Sequence, residues 1–169
     1  MNSKWKRMLL LAVAGLVGLG AVVYVGGLTR PELVEANASI EIAKPPDYVF
    51  DLVADPRRQK DWFSGVGTVE ILSQQPLRYR ISAGGATAEM ESTFVDRPKR
   101  VVTRSLSHSM GMSGEWETAF EPTAGGTRVT HRARMNFTSP WLRAMTLVVD
   151  ANKEELSTLE ALKRYAESH

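Results

Sequence analysis

The chain has no cysteine, which excludes disulfides and thiolate chemistry. It has three histidines, at 108, 131 and 169. Three scattered imidazoles without thiolates are a poor start for a metal site, so no metal and no cofactor is expected. No Gly-rich phosphate loop and no nucleophile elbow occurs. Acid is missing from the first 31 residues, although Lys4, Lys6 and Arg7 stand there. Those three account for the excess of 21 basic over 19 acidic side chains. The remainder is close to neutral and carries no basic stripe, so nucleic acid is not an expected partner.

What is present first is a long apolar run. Met8 to Leu28, MLLLAVAGLVGLGAVVYVGGL, is uncharged throughout. As a helix it would be about 31 Å long, the thickness of a bilayer's hydrocarbon core. The basic flank at residues 1–7, with Trp5 at the boundary, predicts a single-pass anchor in the cell membrane. Its N-terminus is expected in the cytoplasm and its C-terminal domain outside. The competing reading is a signal peptide cut after Ala36-Asn37-Ala38. The run is longer than an ordinary signal core, and the small-x-small motif lies well beyond it. Gly15, Gly18 and Gly20 with Ala14 form a small-residue face, but without GxxxG spacing, and glycine is common in membrane helices. Residues 29–34 read as a linker of at most roughly 25 Å, which holds the domain at 35–169 close to the bilayer.

That domain opens with alternation from Glu35 to Ala43. Pro45-Pro46 stops it, and helical spacing follows (Val49, Phe50, Leu52, Val53) until Asp55-Pro56, where a second short helix, RRQKDWF, begins. From Gly67 the period is two. Strands are expected at Gly67–Ser73, Leu77–Ile81, Ala86–Asp96, Arg100–His108, Met112–Glu121 and Thr127–Phe137, with Gly84-Gly85 and Ala124-Gly125-Gly126 as turns. Such alternation means an antiparallel sheet with one buried face. A long helix is expected from Pro140 to about Glu167, with Ser139 as N-cap. Its apolar stripe would be Leu142, Met145, Val149, Asn152, Leu156, Leu159 and Leu162 or Lys163, with Glu154, Glu155 and Glu160 on the wet side.

The order is one strand, two short helices, six strands and one long helix. With ASIEIAKPPDYVFDLVADPRRQKDW at the front, GEWETAFEPTAGGTRVTHRARM in the last hairpin and the terminal helix, Val34 to Ala166 resembles the START-like (SRPBCC) superfamily. The similarity is to its polyketide cyclase/dehydratase and lipid-transport branch. The resemblance implies an α+β helix-grip fold: a curved seven-stranded antiparallel sheet, two short helices after the first strand, and the long helix across the concave face. It implies no common catalytic motif.

The resemblance also implies a cavity between helix and sheet. Inward phase selects Tyr79, Met90, Phe94, Met112, Trp116, Phe120, His131 and Met135 from the strands. Met145, Val149 and Asn152 come from the helix. Gly114, Ala133 and Ser92 would leave room beside them. A wall this apolar suits a lipid, an isoprenoid or a quinone-like molecule. His131 is the single candidate for a catalytic role, with Thr118 or Asn152 as its partner; a satisfied core histidine is the plainer reading. Three functions remain open: membrane-anchored binding or transport of a hydrophobic molecule, an accessory subunit of a membrane protein complex, and a cyclase- or dehydratase-like enzyme.

Overall fold

The computed structural model describes residues 3–169. Of the basic flank, residues 1–2 and the side chain of Lys4 lie outside the described residues. Helix α1 runs from Ser3 to Leu28. Its apolar part is long enough to cross a membrane and its side chains are mostly exposed.

Seven strands follow: β1 Leu33–Ile42, β2 Val66–Gln74, β3 Leu77–Ala83, β4 Ala86–Asp96, β5 Arg100–His108, β6 Met112–Thr123 and β7 Gly126–Phe137. They form one antiparallel sheet in the order β1-β7-β6-β5-β4-β3-β2. Between β1 and β2 lie α2 (Pro46–Ala54), a 3-10 turn at Pro56–Arg58 and α3 (Gln59–Trp62). Asp55 caps that turn by accepting from the Arg57 amide at 3.0 Å. The core is built at this end. Val49 and Leu52 of α2 meet Ile42, Val129 and Phe120, and the Phe50 and Phe120 rings meet edge to face at 5.3 Å.

The expected single C-terminal helix is broken. α4 spans Pro140–Met145 and α5 spans Ala151–Ser168. Leu147, Val148 and Val149 separate them, and Asp150 begins α5 as its N-cap, accepting from the Asn152 and Lys153 amides. A β-branched pair followed by an aspartate cap restarts the helix with a new phase. Consequently α5 buries Glu155, Leu159, Leu162 and Ala166, while Leu156 is 39% exposed. Ser139 occupies the N-cap position of α4, but its hydroxyl makes no capping bond.

α5 also closes the free edge of β1. The Asn37 amide donates to Asn152 Oδ1 at 2.8 Å, the Ala43 amide to Glu167 Oε1 at 2.9 Å, and Lys163 Nζ to the Glu41 carbonyl at 2.6 Å. Side chains of α5 thus cap part of the β1 edge, one way in which native proteins blunt an edge strand. The outward face of the sheet is laced by ion pairs: Glu35–Arg134, Glu41–Arg128, Glu117–Arg132, and Glu91 between Arg78 and Arg104.

Candidate ligand-binding site

Two adjoining lobes of empty space lie on the inward face of the sheet. The first, about 340 Å³, is bounded by β3–β7, α3 and α5. Tyr79, Met90, Met112, Trp116 and His131 line it, joined by Trp62, Phe63, Thr118, Glu155 and Thr158. The second, about 380 Å³, lies under α4 and the start of α5, with Met112, Met135, Leu142, Met145 and Val149 on its wall. Ala83, Ala86, His108, Met112 and Glu155 border both lobes. Each volume is of the size that small-molecule sites occupy.

Alternation explains the apolar wall, since every second residue of a strand faces in. It also explains where expectation failed. Phe94 lies beyond a bulge that slips the β4–β5 register between Ser92 and Phe94. One extra residue turns the side chain over, so Phe94 is 43% exposed and packs beneath the Arg100 guanidinium. Phe120 faces inward but is sealed in the core against Phe50, with 3% exposure, and borders neither lobe. Asn152 is spent on the β1 edge. Gly114 leaves no room: a Cβ there would sit 2.7 Å from Cη2 of Trp116, whose ring already fills the space. Ala133 is fully enclosed, and neither it nor Ser92 borders a lobe. Met145 and Val149 stand at the rim of the second lobe, half exposed.

The polar content of the site is small and organised. His131 Nδ1 is 2.8 Å from Thr118 Oγ1, and its Nε2 is 3.2 Å from Glu155 Oε2. A carboxylate only accepts, so in the neutral ring Nε2 carries the hydrogen and Nδ1 accepts from the threonine hydroxyl. Glu155 thus takes the place expected of Asn152. The re-phased α5 brings it inward, and a helix read as continuous puts it on the wet side. The His108 ring accepts from the Met110 amide through Nδ1 at 3.1 Å, which leaves Nε2 to the cavity. Burial pushes the Tyr79 phenol above its ordinary value, and the Gln59 side chain opposes this more weakly. Tyr79 therefore remains a hydrogen-bond donor at any physiological pH. Among the described residues no three His, Asp or Glu side chains converge as a metal site. A further groove of about 440 Å³ on the opposite face is lined by the ion-paired Glu35, Glu117, Arg132 and Arg134. Those charges are already matched, and the groove lacks an apolar wall.

A seven-stranded sheet gripping α5, with a largely apolar site between them, defines a START-like helix-grip protein. The chain belongs to the polyketide cyclase/dehydrase and lipid transport family, whose model matches residues 34–167. A search of curated proteins gave no match. Among solved structures, the Zhui aromatase/cyclase of Streptomyces sp. R1128 superimposes with a TM-score of 0.67 at 17% identity, covering 80% of this chain and 94% of that one. A Thermus thermophilus protein gives 0.62 at 23% identity over 80% and 95% of the two chains. A norcoclaurine synthase point mutant from Thalictrum flavum, in complex with a transition-state analogue, gives 0.61 at 11% identity over 81% and 96%. At these identities the likeness is one of fold.

Proposed function

We propose that this protein is a membrane-anchored binder or carrier of a hydrophobic small molecule that bears a polar group, such as a lipid, an isoprenoid or a quinone-like compound. The observation that carries the reading is that two largely apolar lobes adjoin, with the polar side chains of Glu155 and His108 among the residues that border both. Apolar walls supply affinity by burial, and a few fixed polar groups orient the ligand. The anchor reading is supported by the length and exposure of α1. It is supported also by the position of Ala36 and Ala38, which pair with Ala133 and His131 in the middle of β1. Cleavage after Ala38 would remove the first half of a strand that the sheet needs at its edge.

The test is extraction of the full-length protein, purified in mild detergent, followed by mass spectrometry. A specific apolar compound is expected in the wild type. It should be lost from Ala86→Phe, which places a ring between the lobes. Ala86 is half-buried beside empty space, so this variant should melt within about 1 kcal/mol of wild type, less than overpacking a filled core costs. An Ala86→Phe variant that retains the wild-type compound would overturn the reading.

A second reading is favoured by one observation, the Thr118–His131–Glu155 relay facing the first lobe. With Nε2 held by Glu155 and Nδ1 accepting from Thr118, His131 would take up and return a proton through the Thr118 hydroxyl, as a cyclase- or dehydratase-like reaction requires. His131→Ala separates the two: a carrier releases its compound unchanged from both proteins, and an enzyme leaves a different compound in the variant.

A further inference from the structure

α4 packs directly against the last two turns of α1. The Tyr24 and Trp141 rings are 5.6 Å apart. A Cβ at Gly20 would touch Trp141 at 3.6 Å, one at Gly26 would meet Leu147 at 3.2 Å, and one at Gly27 would overlap the Pro140 carbonyl. Arg30 locks the far end, donating from Nε and Nη2 to the Thr146 hydroxyl and carbonyl, both at 3.1 Å. Gly20 precedes Leu28 by eight residues, which is about 12 Å along a helix. If residues 8–28 fill the hydrocarbon layer, Trp141 lies below its surface.

The chemistry of the segment fits that depth. Pro140–Val149 contains one charge, Arg143, and this is turned inward, 9% exposed, with Nη1 3.5 Å from both the Arg30 carbonyl and Glu32. The outward side chains are apolar: Trp141 is 51% exposed, Leu147 53% and Val148 88%. In water such a patch has no reason to persist. It adjoins the exposed apolar surface of α1, and two residues that line the second lobe, Met145 and Val149, belong to it.

We propose that Pro140–Val149 is embedded in the bilayer leaflet on the domain's side, placing the mouth of the second lobe among the acyl chains, so that the ligand exchanges with the membrane without crossing water. This rests on the anchor reading above. The segment is α4 together with the break that precedes α5, so its immersion is what the interrupted helix provides.

The absence of cysteine makes the test direct, because any introduced thiol is labelled alone. Full-length Val148→Cys, Met145→Cys, Leu16→Cys and Glu160→Cys, each carrying an environment-sensitive fluorophore, are reconstituted into vesicles of phosphatidylethanolamine and phosphatidylglycerol. The vesicles contain lipid with a nitroxide high on its acyl chain or, in a parallel set, near the chain end. The probes at 148 and 145 should lose most of their emission to the shallow nitroxide and resist iodide. The probe at 16 should be quenched by the deep nitroxide, and the probe at 160 by iodide alone. Iodide quenching at 148 with nitroxide quenching at 16 would overturn the embedding and leave the anchor standing. Nitroxide quenching at 148 but not at 145 would overturn the assignment of the mouth. Protection of 148 from both quenchers would mean a protein covers the patch, and would likewise overturn the proposal. Iodide quenching at 16 would remove the anchor and the embedding together.

Discussion

Glu91 is held between two arginines on the outer face of the sheet. It is 5% exposed and receives Arg78 Nε at 2.6 Å and Arg104 Nη2 at 2.8 Å. The Arg78 hydrogen bond first, then that of Arg104, holds its carboxyl below the ordinary value of 4.5, against the burial that pushes it up. A carboxylate lowered in the folded state contributes its stability fully above the unfolded value, and that contribution drains as pH falls through the folded one. The melting temperature of the wild type should therefore fall more steeply than that of Glu91→Gln as pH is lowered below 4.5. Equal slopes would show that the two arginines do not depend on this charge. The same side chain, shielded on β4 by neighbours whose own heads are wet, is a reminder that burial belongs to atoms as much as to residues.

At the scale of elements, the interrupted C-terminal helix matters most. The break at Leu147–Asp150 changes the angular phase of everything after it, and so decides which residues of α5 face the sheet. Leu162 is 1% exposed and lies in the core, whereas Leu156 is 39% exposed. Leu162→Ala should cost about 2–5 kcal/mol by lost transfer energy and the cavity left behind. Leu156→Ala should change stability by about 0.5 kcal/mol or less. Denaturant melts of both variants in detergent check this. Comparable losses would mean that α5 packs as the continuation of α4. The rotation also delivers Glu155 to His131, so the candidate proton relay and the packing of the helix are consequences of one break.

At the scale of the molecule, the domain is joined to α1 by contact as well as by chain. Gly27 against Pro140 and Arg30 against Thr146 leave little freedom between α1 and the sheet. Lys4, Lys6 and Arg7, in the first turns of α1 ahead of its apolar run, predict that the domain lies outside the cytoplasm. An alkaline phosphatase fused after His169 should be active, and a cytoplasmic reporter at the same point silent. The opposite pattern would reverse the orientation. Under the proposed anchoring, this docking would make α1 an orienting device as well as a tether. Gly27→Leu would drive a side chain into the Pro140 backbone, and should loosen α4 from α1 while leaving the sheet and its core intact.

Period-two alternation, the Pro-Pro and Asp-Pro stops and the uncharged run from Met8 to Leu28 are local signals. They made the strands, the two short helices, the apolar first helix and the fold family legible without coordinates. The inward phase of Tyr79, Met90, Met112, Trp116 and His131 was legible for the same reason, because a regular strand sends alternate residues to one face. What escaped depends on how elements meet. The β4 bulge that turns Phe94 outward, the Phe50 ring that seals Phe120 into the core, and the edge of β1 that claims Asn152 each need a partner strand or helix to exist. Asp150 and the valines before it are visible as an interruption, but a stripe of leucines is equally visible as a continuous helix. Packing chose between them. Only the tertiary structure could place Glu155 beside His131 and α4 beside α1, because both contacts join residues whose separation in the chain carries no periodic signal.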